Sequence, residues 1–295
     1  MFGFYPNERN RTAFYQSVAD EFPFVKTEVI GTSLVGREIA SFTVGNLDKR
    51  VIIAAAFHGS EWLTANIALH FLWDLCCCIK NSEPVGGLHL GSRLKKRGIS
   101  IVPCVNPDGV EINLSGADSA GRYSALINSL THEPYRWQAN ARGVDLNHNF
   151  PANWEVIHRR EQDMGITKPS STRYGGERPA SEPETVALMN YINENNFTRA
   201  YALHSQGREI YYSFGKNTPK PSNTMSRVLS IASGYKTAKP PLIADGGGFK
   251  DWFIEKFHQP GFTFEIGVGE NPLPLTDESR EYAQLLKALC LTTII

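Results

Sequence analysis

The stretch Val51-Ile-Ile-Ala-Ala-Ala-Phe57, running into His58-Gly-Ser-Glu61 and then Trp62 to Lys80, decides the fold. Its opening run is apolar throughout, which suits a strand covered on both faces. Gly59 and Ser60 make a tight turn, and the apolar segment behind them predicts a buried helix over Trp62–Lys80. The same alternation continues on either side. Val25–Ile30, Glu38–Val44, Ile99–Val105, Arg199–His204, Glu209–Phe214 and Gly261–Ile266 read as short strands. Helices are expected over Ser181–Asn195, Ser222–Ala232, Phe249–Phe257 and Asp277–Cys290. At the first of these, Ser181 reads as the N-cap, Pro183 falls in the first turn and Glu184 closes a capping box. Strands alternating with helices favour an α/β fold with a mixed, mostly parallel sheet flanked by helices. Residues 1–295 are read as one catalytic domain. Asn106–Ala180 has little periodicity, and is expected to form long loops beyond the strand ends, where ligands gather in open α/β sheets.

Composition bounds the partners. Thirty basic and thirty acidic side chains cancel, so no overall field recruits nucleic acid or an anionic membrane. Apolar residues make up 41% and charged residues 20%, an ordinary globular balance. The N-terminal MFGFYPNERNRTAFY has no basic segment followed by an apolar one, so no signal peptide is expected. The apolar run Leu69–Ile79 carries His70 and Asp74 and is too short to span a bilayer. Three of the five cysteines are consecutive, Cys76 to Cys78, and form neither a disulfide framework nor a zinc site. Small apolar thiols in a reducing cytoplasm are the expectation.

Chemistry concentrates at strand ends. His58 and Glu61 stand either side of the Gly-Ser turn, and imidazole nitrogen and carboxylate oxygen are both good zinc ligands. His204 closes Ala200-Tyr-Ala-Leu-His204 and so reaches the same sheet edge. Two histidines and a glutamate leave a fourth position for water, as in a catalytic zinc site. Glu265, in Gly261-Phe-Thr-Phe-Glu-Ile266, is costly to bury alone, yet beside a zinc-activated water it can serve as general base. The alternation puts it on the face opposite Phe262 and Phe264. In the polar loop Asn140–Pro151, Arg142 is a candidate for oxyanion stabilisation and Asn147 for a substrate carboxylate. Asp145 is a candidate to take the second N–H of a liganding histidine.

Together these motifs resemble the zinc carboxypeptidase family typified by pancreatic carboxypeptidases A and B. They occur in that family's order: His58 and Glu61, Asn106-Pro-Asp-Gly109, Val144-Asp-Leu-Asn147, His204-Ser205 and Glu265. The resemblance starts at Ile30–Ile39, similar to the family's opening strand pair. It implies a twisted mixed sheet, one zinc ion on His58, Glu61 and His204, and Glu265 as base. Asp145 would orient the first zinc histidine, and Asn147 would bind a terminal carboxylate. Arg142 would be the oxyanion arginine, with Arg136 as fallback because loop length varies here.

Three departures point to a substrate. Digestive members have Asn-Arg-Asn where this chain has Asn147-His148-Asn149, and an imidazole offers no bidentate fork. Ile243 falls near the register of the family's mobile tyrosine. Lys250, just before Asp251-Trp252, takes the position that in this family floors the specificity pocket, and a lysine there implies an acidic group on the departing residue. These features are similar to the bacterial γ-D-glutamyl-L-diamino acid endopeptidase subgroup. That likeness implies hydrolysis of murein peptides between γ-D-glutamate and meso-diaminopimelate or lysine; with no signal peptide expected, a cytoplasmic enzyme is the expectation. The alternative is a carboxypeptidase that removes acidic C-terminal residues such as glutamate.

Overall fold

In the computed structural model, which describes residues 3–295, eight strands form one mixed sheet. They are β1 (Lys26–Thr32), β2 (Glu38–Val44), β3 (Arg50–Ala55), β4 (Gly98–Val102), β5 (Phe197–His204), β6 (Glu209–Tyr211), β7 (Lys236–Ala238) and β8 (Gly261–Glu265). The spatial order is β1-β2-β4-β3-β5-β8-β6-β7. The central β4-β3-β5-β8 block is parallel; β1–β2, β2–β4 and β6–β8 are antiparallel. The helices are α1 (Glu8–Glu21), α2 (Leu63–Asn81), α3 (Gly91–Leu94), α4 (Pro107–Ser115), α5 (Ser124–Leu130), α6 (Trp154–Asp163), α7 (Pro183–Asn193), α8 (Pro221–Ser233), α9 (Phe249–Phe257) and α10 (Glu278–Thr292).

β3 shows why the sheet needs cover on both sides. Val51, Ile53 and Ala55 join one core with Phe71 and Leu72 of α2 and Leu285 and Leu289 of α10. Ile52 and Ala54 join a second core with Leu188 of α7 and Phe253 and Ile254 of α9. Each fully buried side chain of this size contributes ~1.5–3 kcal/mol. Helix α2 is long and apolar enough to cross a membrane on length and composition, but most of it is buried against the sheet. The run Leu69–Ile79 is its middle, and Cys76 and Cys78 pack inside.

Several boundaries differ from expectation. β3 stops at Ala55, because Ala56 turns to φ +50° and takes Phe57 out of the ladder. Helix α7 starts at Pro183 with Glu182 as its N-cap residue. The Ser181 hydroxyl instead donates to Glu182 Oε1 (2.7 Å) and accepts from Asn149 Nδ2 (2.9 Å), so Ser181 does not cap the helix. The irregular stretch holds α4, α5 and α6. α4 is capped by Asn106, whose Oδ1 accepts the Gly109 N–H at 2.8 Å. Asn106 Nδ2 also donates to the carbonyls of Phe57, Gln138 and Ala139. One residue therefore ties the end of β3 to the loop across from it.

Candidate metal centre

The parallel block brings its carboxyl ends to one edge, and the site is built there. His204 and Glu265 are register partners on neighbouring β5 and β8. His58 lies just beyond β3, on the other side of β5. Gly59 lets the following turn close: a Cβ there would lie 2.2 Å from the Gly109 carbonyl oxygen and 2.7 Å from that of Trp137. Glu61 is thereby carried back toward His58 in a single 3₁₀ turn, Gly59–Glu61.

The three side chains converge. Glu61 Oε1 lies 2.8 Å from His58 Nδ1, and Glu61 Oε2 lies 2.9 Å from His204 Nδ1. One donor atom from each residue falls within 4.8 Å of the others. That spacing fits a single zinc with bonds of about 2.0–2.2 Å, and two imidazoles with one carboxylate are an ordinary catalytic donor set. Zinc therefore fits the residues present.

His58 Nε2 lies 3.0 Å from Asp145 Oδ1, so this imidazole is held between two carboxylates. Burial works against its protonated form, but Glu61 and Asp145 outweigh it and raise its pKa well above the usual histidine range. Burial likewise disfavours charged Glu61, yet His58 and His204 pull its pKa down to about 2. Asp145 is held far below the carboxylate range, because His58, His148 and its hydrogen bonds overcome its burial. It also accepts the N–H groups of Asn147 (3.0 Å) and Arg173 (2.9 Å). The site is thus primed with ionised oxygens around imidazole, the state in which a cation replaces a proton on His58 Nδ1.

Glu265 opens onto the same cavity, of about 540 Å³. Burial raises its pKa well above normal, Glu61 and Glu209 add to the rise, and His58 opposes it. Phe262 and Phe264 point the other way, into the core. Asn147 and His148 line the cavity too. Asn147 Oδ1 accepts the Phe249 N–H at 3.0 Å, which leaves its amide N–H groups for a ligand. His148 Nδ1 faces Glu161 Oε1 at 2.7 Å.

Two expected residues lie elsewhere. Arg142 is outside this cavity: its guanidinium grips buried Glu182, with Nη2 at 3.1 and 3.0 Å from the two carboxylate oxygens, and lines a separate cavity of about 200 Å³. Arg136, the fallback, does line the metal-site cavity, beside Glu270 at 3.4 Å. Lys250 does not floor a pocket. Its ammonium is buried, ion-paired with Asp251 and bonded to the Ser213 carbonyl at 2.8 Å. An uncompensated Asp251 would be costly in that place, and the lysine answers it. Ile243 lines the cavity, as do Arg173 and Tyr211, neither of which had been singled out. Tyr211 carries no motif signal, since its place at the cavity follows from β6 pairing beside Glu265's strand.

The zinc carboxypeptidase family profile matches residues 12–285. The chain is 36% identical over 269 residues to γ-D-glutamyl-L-diamino acid endopeptidase 1 of Lysinibacillus sphaericus, covering 90% of this chain and 66% of that one. It is also 36% identical over 274 residues to the uncharacterized protein YqgT of Bacillus subtilis (strain 168), covering 90% of this chain and 71% of that one. The chain thus spans about two thirds of the length of these relatives. Its fold is similar to the solved structure of bovine thrombin-activatable fibrinolysis inhibitor in complex with tick carboxypeptidase inhibitor. There the TM-score is 0.76 at 19% identity, covering 99% of this chain and 97% of the other. Motif order, donor geometry and profile agree, and this chain belongs to the zinc carboxypeptidase family.

Proposed function

We propose that this chain is a zinc peptidase that hydrolyses murein peptides at the γ-D-glutamyl–diamino acid bond. The observation that carries the reading is the His58–Glu61–His204 cluster with Glu265 beside it, in a chain 36% identical to an endopeptidase of that specificity. A zinc held by these residues would polarise the scissile carbonyl and bring the pKa of water to near 7. Glu265 accepts a proton from the attacking water at its carboxylate. It then returns that proton to the leaving nitrogen as the C–N bond breaks. Glu265 stands as the register partner of His204 at the same sheet edge, within the cavity the ligands line. Asp145 fixes the His58 ring through Nε2, and Arg136 brings positive charge to the rim where an oxyanion would form. Lys250, bound to Asp251 and the Ser213 carbonyl, supports neither a diaminopimelate carboxylate nor an acidic C-terminal residue in the pocket. A cytoplasmic location belongs to the same reading. Its support is the five cysteines, all free thiols, and cell fractionation tests it.

The decisive experiment is mass spectrometry of L-Ala-γ-D-Glu-diaminopimelate digests with wild type and Glu265→Gln. Wild type should release free diaminopimelate in a chelator-sensitive way. The variant should keep its zinc and lose about 10²–10⁴-fold in rate. Near-full turnover by zinc-loaded Glu265→Gln would remove Glu265 from its role.

A further inference from the structure

We propose that Arg173 is a specificity-determining residue that holds a carboxylate of the substrate in the metal-site cavity, an inference that rests on the murein-peptide reading above. Arg173 lines the cavity together with Asn147, His148 and Glu265. Unlike Arg142, held by Glu182, and Arg136, beside Glu270, its guanidinium has no hydrogen bond or ion pair among the described residues. It is therefore free to bind a ligand anion.

The backbone around it is pinned. Arg173 has φ +66°, a conformation uncommon for a residue with a side chain and costing on the order of 1 kcal/mol or more. It is kept there because the Arg173 N–H donates to Asp145 Oδ2 at 2.9 Å, while the Asp145 N–H donates to the Tyr174 carbonyl at 2.7 Å. Asp145 in turn holds His58. The base of the Arg173 side chain is thus fixed with respect to the metal ligands. The neighbouring groups do not duplicate its chemistry: Asn147 offers one amide, and His148 has Nδ1 committed to Glu161 and no fork. A guanidinium offers the planar double donor that carboxylates match.

A γ-D-glutamyl–diaminopimelate peptide carries such groups on both sides of the scissile bond: the glutamyl α-carboxylate on the acyl side, and the diaminopimelate carboxylates on the amine side. Three peptides separate them: the parent, its counterpart amidated at the glutamyl α-carboxylate, and the lysine analogue that lacks the side-chain carboxylate. They are assayed with zinc-loaded wild type, Arg173→Ala and Arg173→Asn; asparagine tolerates the left-handed backbone and so preserves the turn. Wild type should lose about tenfold to a hundredfold in kcat/KM on one of the two altered peptides. Arg173→Asn should lose as much on the parent, mainly through KM, and nothing further on that altered peptide. Which peptide shows this assigns the side of the bond. Penalties that persist undiminished in Arg173→Asn overturn the inference. So does an equal fall in kcat on all three peptides with reduced zinc content, which would make the residue a support for Asp145 only. If wild type cleaves none of the three, the murein reading fails, and α-linked peptides ending in glutamate or glutamine decide the matter. A Glu-over-Gln preference lost in Arg173→Asn then supports the role, and one equal in both proteins overturns it.

Discussion

Lys250→Ala separates a pocket residue from a structural one. In the fold its ammonium is 5% exposed and shares Asp251 and the Ser213 carbonyl, while Asp251 Oδ2 takes the Gly246 N–H at 3.0 Å. Removing the lysine strands a carboxylate that burial already pushes above its normal pKa even with Lys250 pulling it down. Breaking a buried pair from one side costs about 3–5 kcal/mol. A chain of 295 residues has an unfolding entropy of roughly 0.6 kcal/mol per kelvin, so Tm should fall by about 5–8 °C. The sign with pH follows from linkage. The stranded Asp251 has a folded pKa above its unfolded one, so its contribution is intact below the unfolded value and is lost as pH rises through the folded one. The deficit of Lys250→Ala should therefore be larger at pH 8 than at pH 5. Replacing both partners, Lys250→Met with Asp251→Asn, should recover most of the loss. Thermal melts at the two pH values, with kcat/KM on diaminopimelate and lysine peptides, make the test. Asp251 braces the 246–248 turn, and the Phe249 N–H binds Asn147, so a modest fall in rate common to both peptides is expected. An unchanged Tm with a collapsed diaminopimelate preference would refute the reasoning and return Lys250 to the pocket floor.

Two other perturbations probe parts of the structure that the sequence could not place. Arg142→Ala should cost about 1–3 kcal/mol in urea unfolding by loosening buried Glu182, and leave kcat/KM within about threefold; a hundredfold loss with zinc bound would restore it as the oxyanion arginine. Glu184 is pushed up to about 8 by burial, with Asp108 and Glu182 adding to the rise, so its stabilising contribution is full below about pH 4.5 and is lost as pH climbs through about 8. Glu184→Gln should match wild type near pH 5 and exceed it by a few kcal/mol at pH 9 in denaturant titrations; a variant no more stable at pH 9 would contradict the raised pKa.

What was legible in the sequence was what the backbone enforces locally. His58 and Glu61 are joined by a turn so short that their convergence follows from Gly59. His204 and Glu265 terminate strands whose parallel register sets them side by side. Helix α1 was missed because little of it is apolar and inward: Phe14 and Val18 carry the pattern with a buried arginine, Arg11. Its start was nevertheless signalled by Asn7, whose Oδ1 accepts the Asn10 N–H at 2.9 Å. The helices of Asn106–Ala180 were missed for a related reason, since α4 depends on the Asn106 cap and on packing across the loop rather than on periodicity. Direction in an irregular loop has no period to read. Spacing puts Arg142 ahead of Arg136, and what reverses them is Glu182, far along the chain, which claims one guanidinium and leaves the other at the cavity.

Substrate choice lies outside the strand ends. The strand ends carry the His58–Glu61–His204 cluster and Glu265, and nothing in them selects an acidic substrate. The family's clamp position holds His148, tethered to Glu161, and the helix position holds Lys250, neutralised by Asp251. These two candidates thus each have a protein carboxylate as partner. Charge available to a ligand must then come from groups whose local acids are already satisfied. Glu61 and Asp145 are committed to the histidines, so a guanidinium hung from the backbone beside Asp145 can remain unpaired without collapsing onto the ligand set. That division of labour predicts where variation should act. Changes in the loop carrying Arg173 should alter which carboxylate is accepted while zinc binding persists, whereas changes at Asp145 should weaken both together.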